Sequence, residues 1–354
     1  MSSETPRKST HFNPKIYRRF NRDLQDFTDD QLVVHFKNHG QRENRIHNLE
    51  TLFASNNVHL TYFDIDYYIK SNTDIQFETK LDYVADYLDN RLNDNRPIGE
   101  KIHNFKEEKK QLFYDILKEA RDDMNYLSEE DREKYVIGSC ETESANEWGE
   151  NSDISNIIKN NDIVLNIGAG YRLDKERYFS LKNVVNTEIF PYPTTDVVCD
   201  GENLPFKDNS VDAILSLAVL EHVKHPWKHA EEMIRVLKPG GVIYLDVPFL
   251  QPYHGYPHHY YNMTTAGLQN LFDKKIEIIK HTVEGWQKPI FSLTWFLTRY
   301  LQFLDKDTRN NFSNMTVQQI IDNGTNGHLD YVKNMDKSKE EILATGTTLI
   351  GTKL

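Results

Sequence analysis

"DIVLNIGAG", Asp162 to Gly170, opens a series of short β-branched runs that continues with "NVVNTEIF" (183–190), "DVVCD" (196–200), "VDAILSLAVL" (211–220) and "GVIYLDVPF" (241–249). Helical or loop-like segments separate the runs, and that alternation predicts an α/β fold with a doubly wound parallel sheet. Ligands of such sheets lie beyond the carboxyl ends of the strands, near the switch point in strand order. The turn Gly168-Ala169-Gly170 is therefore the first candidate binding element. A dinucleotide fingerprint requires GxGxxG, but Leu173 holds the sixth position; a P-loop requires Gly-Lys-Ser/Thr, which "GAGYRLDKE" lacks. What remains is GxG and an acid, Glu188, 20 residues after Gly168 at the end of the second run. Such a pattern suits a nucleoside: two small residues let it approach the backbone while a carboxylate accepts both ribose hydroxyls.

The stretch "CDGENLPFKDNSVDAILSLAVLEHVKHPWKHAEEMIRVLKPGGVIYLDVPF" (199–249) resembles the class I S-adenosylmethionine-dependent methyltransferases. The family's D-x-x-x-LPF-x-D-x-SFD falls on Asp200 to Asp212, its LEHV on Leu220 to Val223, and its E-x-x-RVLKPGG on Glu232 to Gly241. The resemblance implies a Rossmann-like seven-stranded sheet over 151–354, with "KIEIIKHTVE" (275–284) and "ATGTTLIGTKL" (344–354) as the closing strands. It implies S-adenosyl-L-methionine as cofactor, the turn Gly168, Ala169 and Gly170 at its methionine and ribose side, Glu188 on the ribose, and Asp200 with Gly201 at the adenine. Asn166 stands where the family carries an acid; its amide can accept a hydrogen bond but gives the ammonium end less electrostatic help.

For the acceptor, the informative segment is "VPFLQPYHGYPHHYYNMTTAGLQNLF" (247–272). It resembles the P-x-x-H-x-x-P-x-DY-x-R-x-T-x-x-GL segment of methyltransferases encoded with sugar and surface-glycan pathways, with His259 and Asn262 in place of the family's Asp and Arg. The resemblance implies O-methylation of a sugar or glycan. His222 after the fourth run, and His254 and His259 after the fifth, are the candidate catalytic bases, since a base near a hydroxyl is worth about 10²–10⁴-fold in rate. His222, His254, His258 and His259 lack an acidic partner pair at ligand spacing, so no metal is expected. The alternatives are a methyltransferase for another small metabolite and a non-catalytic module of this fold that takes part in glycan assembly.

The N-terminal third is internally repetitive. A shift of 51 positions aligns Phe12 with Phe63, Tyr17 with Tyr68, Asn21 with Asn72, Asp23 with Asp74 and Asn44-Arg45 with Asn95-Arg96. Each copy, about 12–45 and 63–96 within a unit of 1–100, reads as two helices joined by an Asn-x-Asp turn that can cap the second. Leu32, Val33 and Phe36 supply the apolar face in copy one, and Tyr83, Val84 and Tyr87 in copy two. The copies resemble repeats found beside glycosyltransferases, which implies glycan-assembly enzymes as partners. A charged helical connector and linker is expected over 101–150.

A formal charge of −12 disfavours a nucleic-acid backbone as partner, because such binders usually carry a basic face. Cys140 and Cys199 are the two cysteines and match no zinc spacing. With no apolar leader and no run long enough to span a bilayer, a cytoplasmic protein without a membrane span is expected. The apolar segment "PIFSLTWFLTRYLQFL" (289–304), interrupted by Arg299 and Gln302, reads as a helix roofing the substrate pocket or forming a dimer face.

Overall fold

The computed structural model describes residues 12–40, 43, 45–55, 63–90, 96–128, 151–170, 181–254, 258–323, 328–345 and 352. Its centre is a parallel sheet of β1 (Val164–Ile167), β2 (Val184–Glu188), β3 (Val197–Val198), β4 (Val211–Leu217) and β5 (Leu237–Asp246), in the order β3-β2-β1-β4-β5. The order reverses between β1 and β4, which makes their carboxyl ends the switch point. Val164 pairs with Val184 on one side and Ala213 on the other, so β1 is the central strand. Every residue of β1, β2 and β3 is buried, the polar Asn166, Asn186, Thr187 and Glu188 included, so these runs show no alternation of apolar and polar faces.

Five strands are described where seven were expected. Residues 277–284 form no strand. A strand exists only where a neighbour takes its N–H and C=O groups, and most of the second expected strand, 344–354, lies outside the described residues.

The N-terminal helices are α1 (Pro14–Phe20), α2 (Asp29–His35), α3 (Leu49–Ser55), α4 (Ile65–Ser71), α5 (Lys80–Asn90) and α6 (Glu100–Phe113). Local chemistry starts them. Asn13 caps α1 ahead of Pro14, Thr28 and Gln31 form a capping box on α2, and Asp64 caps α4. Hydrogen bonds recur at the 51-residue offset. Asn21 Nδ2 donates to the carbonyls of Tyr17 (2.8 Å) and Ile46 (2.9 Å), and Asn72 Nδ2 to those of Tyr68 (2.7 Å) and Pro97 (3.1 Å). Arg45 pairs with Asp23, and Arg96 with Asp74, both at 2.7 Å. The Tyr17 hydroxyl meets His35 and the Tyr68 hydroxyl donates to Asp86, each at 2.9 Å.

The expected separation between this region and the sheet does not hold for residues 101–128. Phe113, Leu117 and Met124 share the main core with Leu165, Ile167, Val185 and Val197. Tyr87, Ile98 and Ile102 pack with Phe190 and Tyr192. Lys109 reaches Asp196 at 2.8 Å with both side chains 2% exposed. Phe113 in the main core, Ile102 beside Phe190 and Tyr192, and Lys109 on Asp196 tie α6 to the core, so it is more than a connector.

Candidate active site

The GxG turn departs from β1 with both glycines left-handed, Gly168 at φ 65° and Gly170 at φ 66°. Side chains rarely adopt this conformation, and a β-carbon on Gly168 would lie 2.4 Å from Val219. The path of the turn aims the Gly170 N–H at Glu188, whose Oε2 accepts it at 2.9 Å while Oε1 accepts the N–H of Ile189 at 2.7 Å. These charge-assisted bonds fix the plane of a buried carboxylate beside the turn. At the end of β3, Asp200 is buried and Gly201 lies against the ring of His229, with room for no side chain: a β-carbon would sit 2.3 Å from that ring. His229 is wholly buried in the helix Pro226–Val236, and burial lowers its pKa.

Asn166 and Ala169, the other two expected cofactor residues at this turn, make internal hydrogen bonds. Asn166 is buried and donates to Asn186 Oδ1 at 2.9 Å, across the β1–β2 pair in which the two residues are direct partners. Asn186 N–H donates to Asp196, the partner of Lys109, so Asn166 belongs to an internal polar chain. Ala169 contributes a backbone N–H to the carbonyl of Thr187 at 3.0 Å. Neither lines the cavity described below.

β4 ends in a strained turn. Ala218 has φ 54°, a non-glycine residue in the left-handed region at a cost of about 1–3 kcal/mol, held by its N–H bond to the Asp246 carbonyl at 2.8 Å. The chain then tightens into the 3₁₀ turn Leu220–His222, which buries Glu221 completely. Neither Glu221 carboxyl oxygen has a hydrogen-bond partner among the described residues. Burial pushes this carboxyl up to about 8.

His222, His254 and His259 come together. The rings of His222 and His254 are 5.5 Å apart, those of His222 and His259 5.7 Å, and those of His254 and His259 4.4 Å. His222 Nδ1 lies 2.7 Å from the His258 carbonyl and His254 Nδ1 2.8 Å from the Pro252 carbonyl. A carbonyl only accepts, so each Nδ1 carries the proton and each neutral ring keeps its lone pair on Nε2. His259 is the opposite tautomer: Nδ1 accepts the His254 N–H at 3.1 Å, and Nε2 donates to Asn262 Oδ1 at 3.1 Å. Its contacts position His254. Burial lowers all three pKa values, that of His254 to about 4.

One cavity of ≈ 2200 Å³ joins these parts, lined by Gly168, Gly170, Glu188, Asp200 and Gly201 and also by Glu221, His222 and His254. Trp295, from the helix Pro289–Gln302, lines it as well and packs 4.9 Å from the His254 ring. Beyond β5, Trp286 and Gln287 donate to the Asp246 carboxylate at 2.6 and 2.7 Å. Sequence reasoning named neither Glu221 nor Asp246 as a site residue; an acid set inside the apolar run "AVLEHV" was the available signal for the first. No helix among the described residues is long and apolar enough to cross a membrane.

Residues 170–245 match the family model described as Methyltransferase domain. An uncharacterized methyltransferase of Mycobacteroides abscessus is 47% identical over 64 residues, 18% of this chain and 25% of that protein. One of Mycobacterium tuberculosis is 46% identical over 65 residues, 18% of this chain and 26% of that protein. The chain spans about a quarter of the length of these curated relatives. Among solved structures, a putative methyltransferase from Bacillus halodurans aligns at 18% identity over 35% of this chain and 66% of that chain, with a TM-score of 0.27. YcgJ of Bacillus subtilis aligns at 19% identity over 47% and 89%, with a TM-score of 0.28. The matched domain makes S-adenosyl-L-methionine the cofactor. The site fits it: two left-handed glycines keep side chains out of the turn, and an oriented, buried carboxylate stands beside it.

Proposed function

We propose that this protein transfers a methyl group from S-adenosylmethionine to a hydroxyl of a sugar or glycan. The observation that carries the reading is the single cavity joining the Gly168–Gly170 turn and Glu188 to the Nε2 lone pairs of His222 and His254. Bound at the turn, S-adenosylmethionine supplies an electrophilic methyl group. Glu188 accepts from the ribose hydroxyls, its plane already fixed by two backbone N–H groups. Asp200 and the Gly201 backbone, held by the packed His229 ring, form the adenine side.

The acceptor half is aromatic and lone-pair-rich. Trp295 and the residues of the loop after β5 suit the apolar faces of a sugar ring, while His222 and His254 offer acceptors to a hydroxyl proton. Holding the acceptor oxygen in line with the methyl carbon converts a bimolecular reaction into an effectively unimolecular one. The after-β5 segment, with its likeness to sugar-pathway methyltransferases, supports a sugar over another metabolite.

The test is incubation of the full chain with methyl-labelled S-adenosylmethionine and a panel of sugar nucleotides, glycans and non-sugar hydroxyl metabolites. Label is expected in a sugar hydroxyl. Label only in non-sugar acceptors overturns the substrate class, and cofactor binding without transfer to any acceptor of the panel counts against the activity.

A further inference from the structure

We propose that Glu221, His222 and His254 form a binding site for a divalent transition-metal cation such as zinc, manganese or cobalt. One ligand atom from each lies within 4.8 Å of the other two. His222 Nε2 and Glu221 Oε1 are already 3.7 Å apart. With metal–ligand bonds of about 2.0–2.2 Å, two ligands of one ion sit about 3–4 Å apart, so roughly 1 Å of closure completes the set.

Two independent features indicate a ligand here rather than a chance cluster. First, Glu221 is fully buried and neither of its oxygens has a hydrogen-bond partner among the described residues. Taking a carboxylate from water without compensation costs several kcal/mol, and a cation bound to it removes that cost. Second, each histidine is oriented by an Nδ1–H bond to a backbone carbonyl, leaving Nε2 without a hydrogen bond among the described residues. This is the outer-shell arrangement that fixes the tautomer of ligating histidines. His259 extends it by accepting the His254 N–H, and Asn262 holds His259 in turn.

The donor set chooses the ion. Two imidazole nitrogens and one carboxylate oxygen suit zinc and the first-row divalent ions, whereas magnesium and calcium prefer oxygen ligands throughout. Three protein ligands leave positions open, as catalytic sites do. The role of the cation, though not its binding, rests on the methyl-transfer reading. An acceptor hydroxyl at an open position would be acidified. With the Nε2 lone pairs of His222 and His254 given to the cation, the histidines hold the ion in place of taking the proton themselves: the proton leaves to solvent, the oxygen forms a C–O bond to the methyl carbon, and the C–S bond breaks with its electron pair retained by sulfur.

The test uses the untagged full-length protein, stripped with a chelator and titrated with cobalt(II), following visible absorption and calorimetric heat. One equivalent per chain is expected. Loss of a direct ligand in His254→Ala or Glu221→Gln should weaken binding by about 100-fold or more, beyond the 10–100-fold typical of outer-shell changes. His103→Ala, an exposed histidine remote in sequence from the cluster, should leave the affinity unchanged. His254 lies on a partly exposed loop, so its variant remains informative where Glu221→Gln fails to fold. No stoichiometric cobalt in the parent, or equal affinity in the parent and His254→Ala, overturns the site. S-adenosylmethionine binding is measured on the same samples. Cofactor binding without cobalt sinks the cation and leaves the methyl-transfer reading standing; cobalt without cofactor supports the cation and sinks that reading.

Discussion

Glu188 ends β2 and Glu221 follows β4, both buried at the carboxyl side of one parallel sheet, yet their carboxyls meet opposite surroundings. Glu188 accepts the N–H groups of Gly170 and Ile189, so its charge is compensated before any ligand arrives. Glu221 has no side-chain hydrogen-bond partner among the described residues and is pushed up to about 8 by burial. The difference assigns them different work. A pre-compensated carboxylate is a rigid acceptor for a neutral ribose, whereas an uncompensated one waits for a proton or a cation.

The comparison can be broken most severely from the N-terminal side. Lys109 on α6 neutralises Asp196, and Asp196 accepts the N–H of Asn186 on β2, the strand that carries Glu188. Removing one partner of a buried pair leaves the other uncompensated, so Lys109→Ala should cost about 3–5 kcal/mol in chemical denaturation. A fragment beginning at Asn151 should not fold at all, since it also loses Phe113, Leu117 and Met124 from the core. A soluble, cooperative fragment would return 101–128 to the status of a connector.

Glu221 sharpens the comparison through pH. Its pKa is about 8 folded against 4.5 unfolded, so the folded state holds the proton more tightly. The stability this contributes is complete below pH 4.5 and is lost as pH rises through 8. At about 1.4 kcal/mol per unit, the metal-free parent should lose on the order of 2–4 kcal/mol between pH 5 and 8 relative to Glu221→Gln. Denaturation curves at the two pH values read this directly, and parallel behaviour of the two proteins would show that Glu221 is solvated or paired.

Smaller effects are expected around the frame. Gly201→Ala must displace the His229 ring, at about 1–3 kcal/mol. Trp286→Phe deletes one hydrogen bond to Asp246 at a half-exposed position, for about 1 kcal/mol. Thermal melts order the two.

Much of the frame was legible because β-branched residues gather in strands and so mark the local composition. The runs that became β1 to β5 were continuous and β-branched, and an acid closing the second of them pointed to Glu188. Local pattern could not reveal what depends on distant partners. Asn166 stands next to the glycines in sequence, but only the structure shows that its Nδ2 donates to the cross-strand Asn186. Glu221 and His254 are far apart in the chain, and only the return of the loop after β5 beside the end of β4 brings acid and histidines together. The segment 275–284 had the alternation of a strand, but alternation does not provide a hydrogen-bonding neighbour.

The most direct measurement is calorimetric titration of S-adenosylmethionine into the full-length parent, Glu188→Ala and Glu221→Gln. Hydrogen bonds to a charged group contribute about 1.5–3 kcal/mol, so Glu188→Ala should weaken binding about 10- to 100-fold while Glu221→Gln binds as the parent does. Equal affinity for the parent and Glu188→Ala, or no binding by the parent, would contradict the assignment of this site.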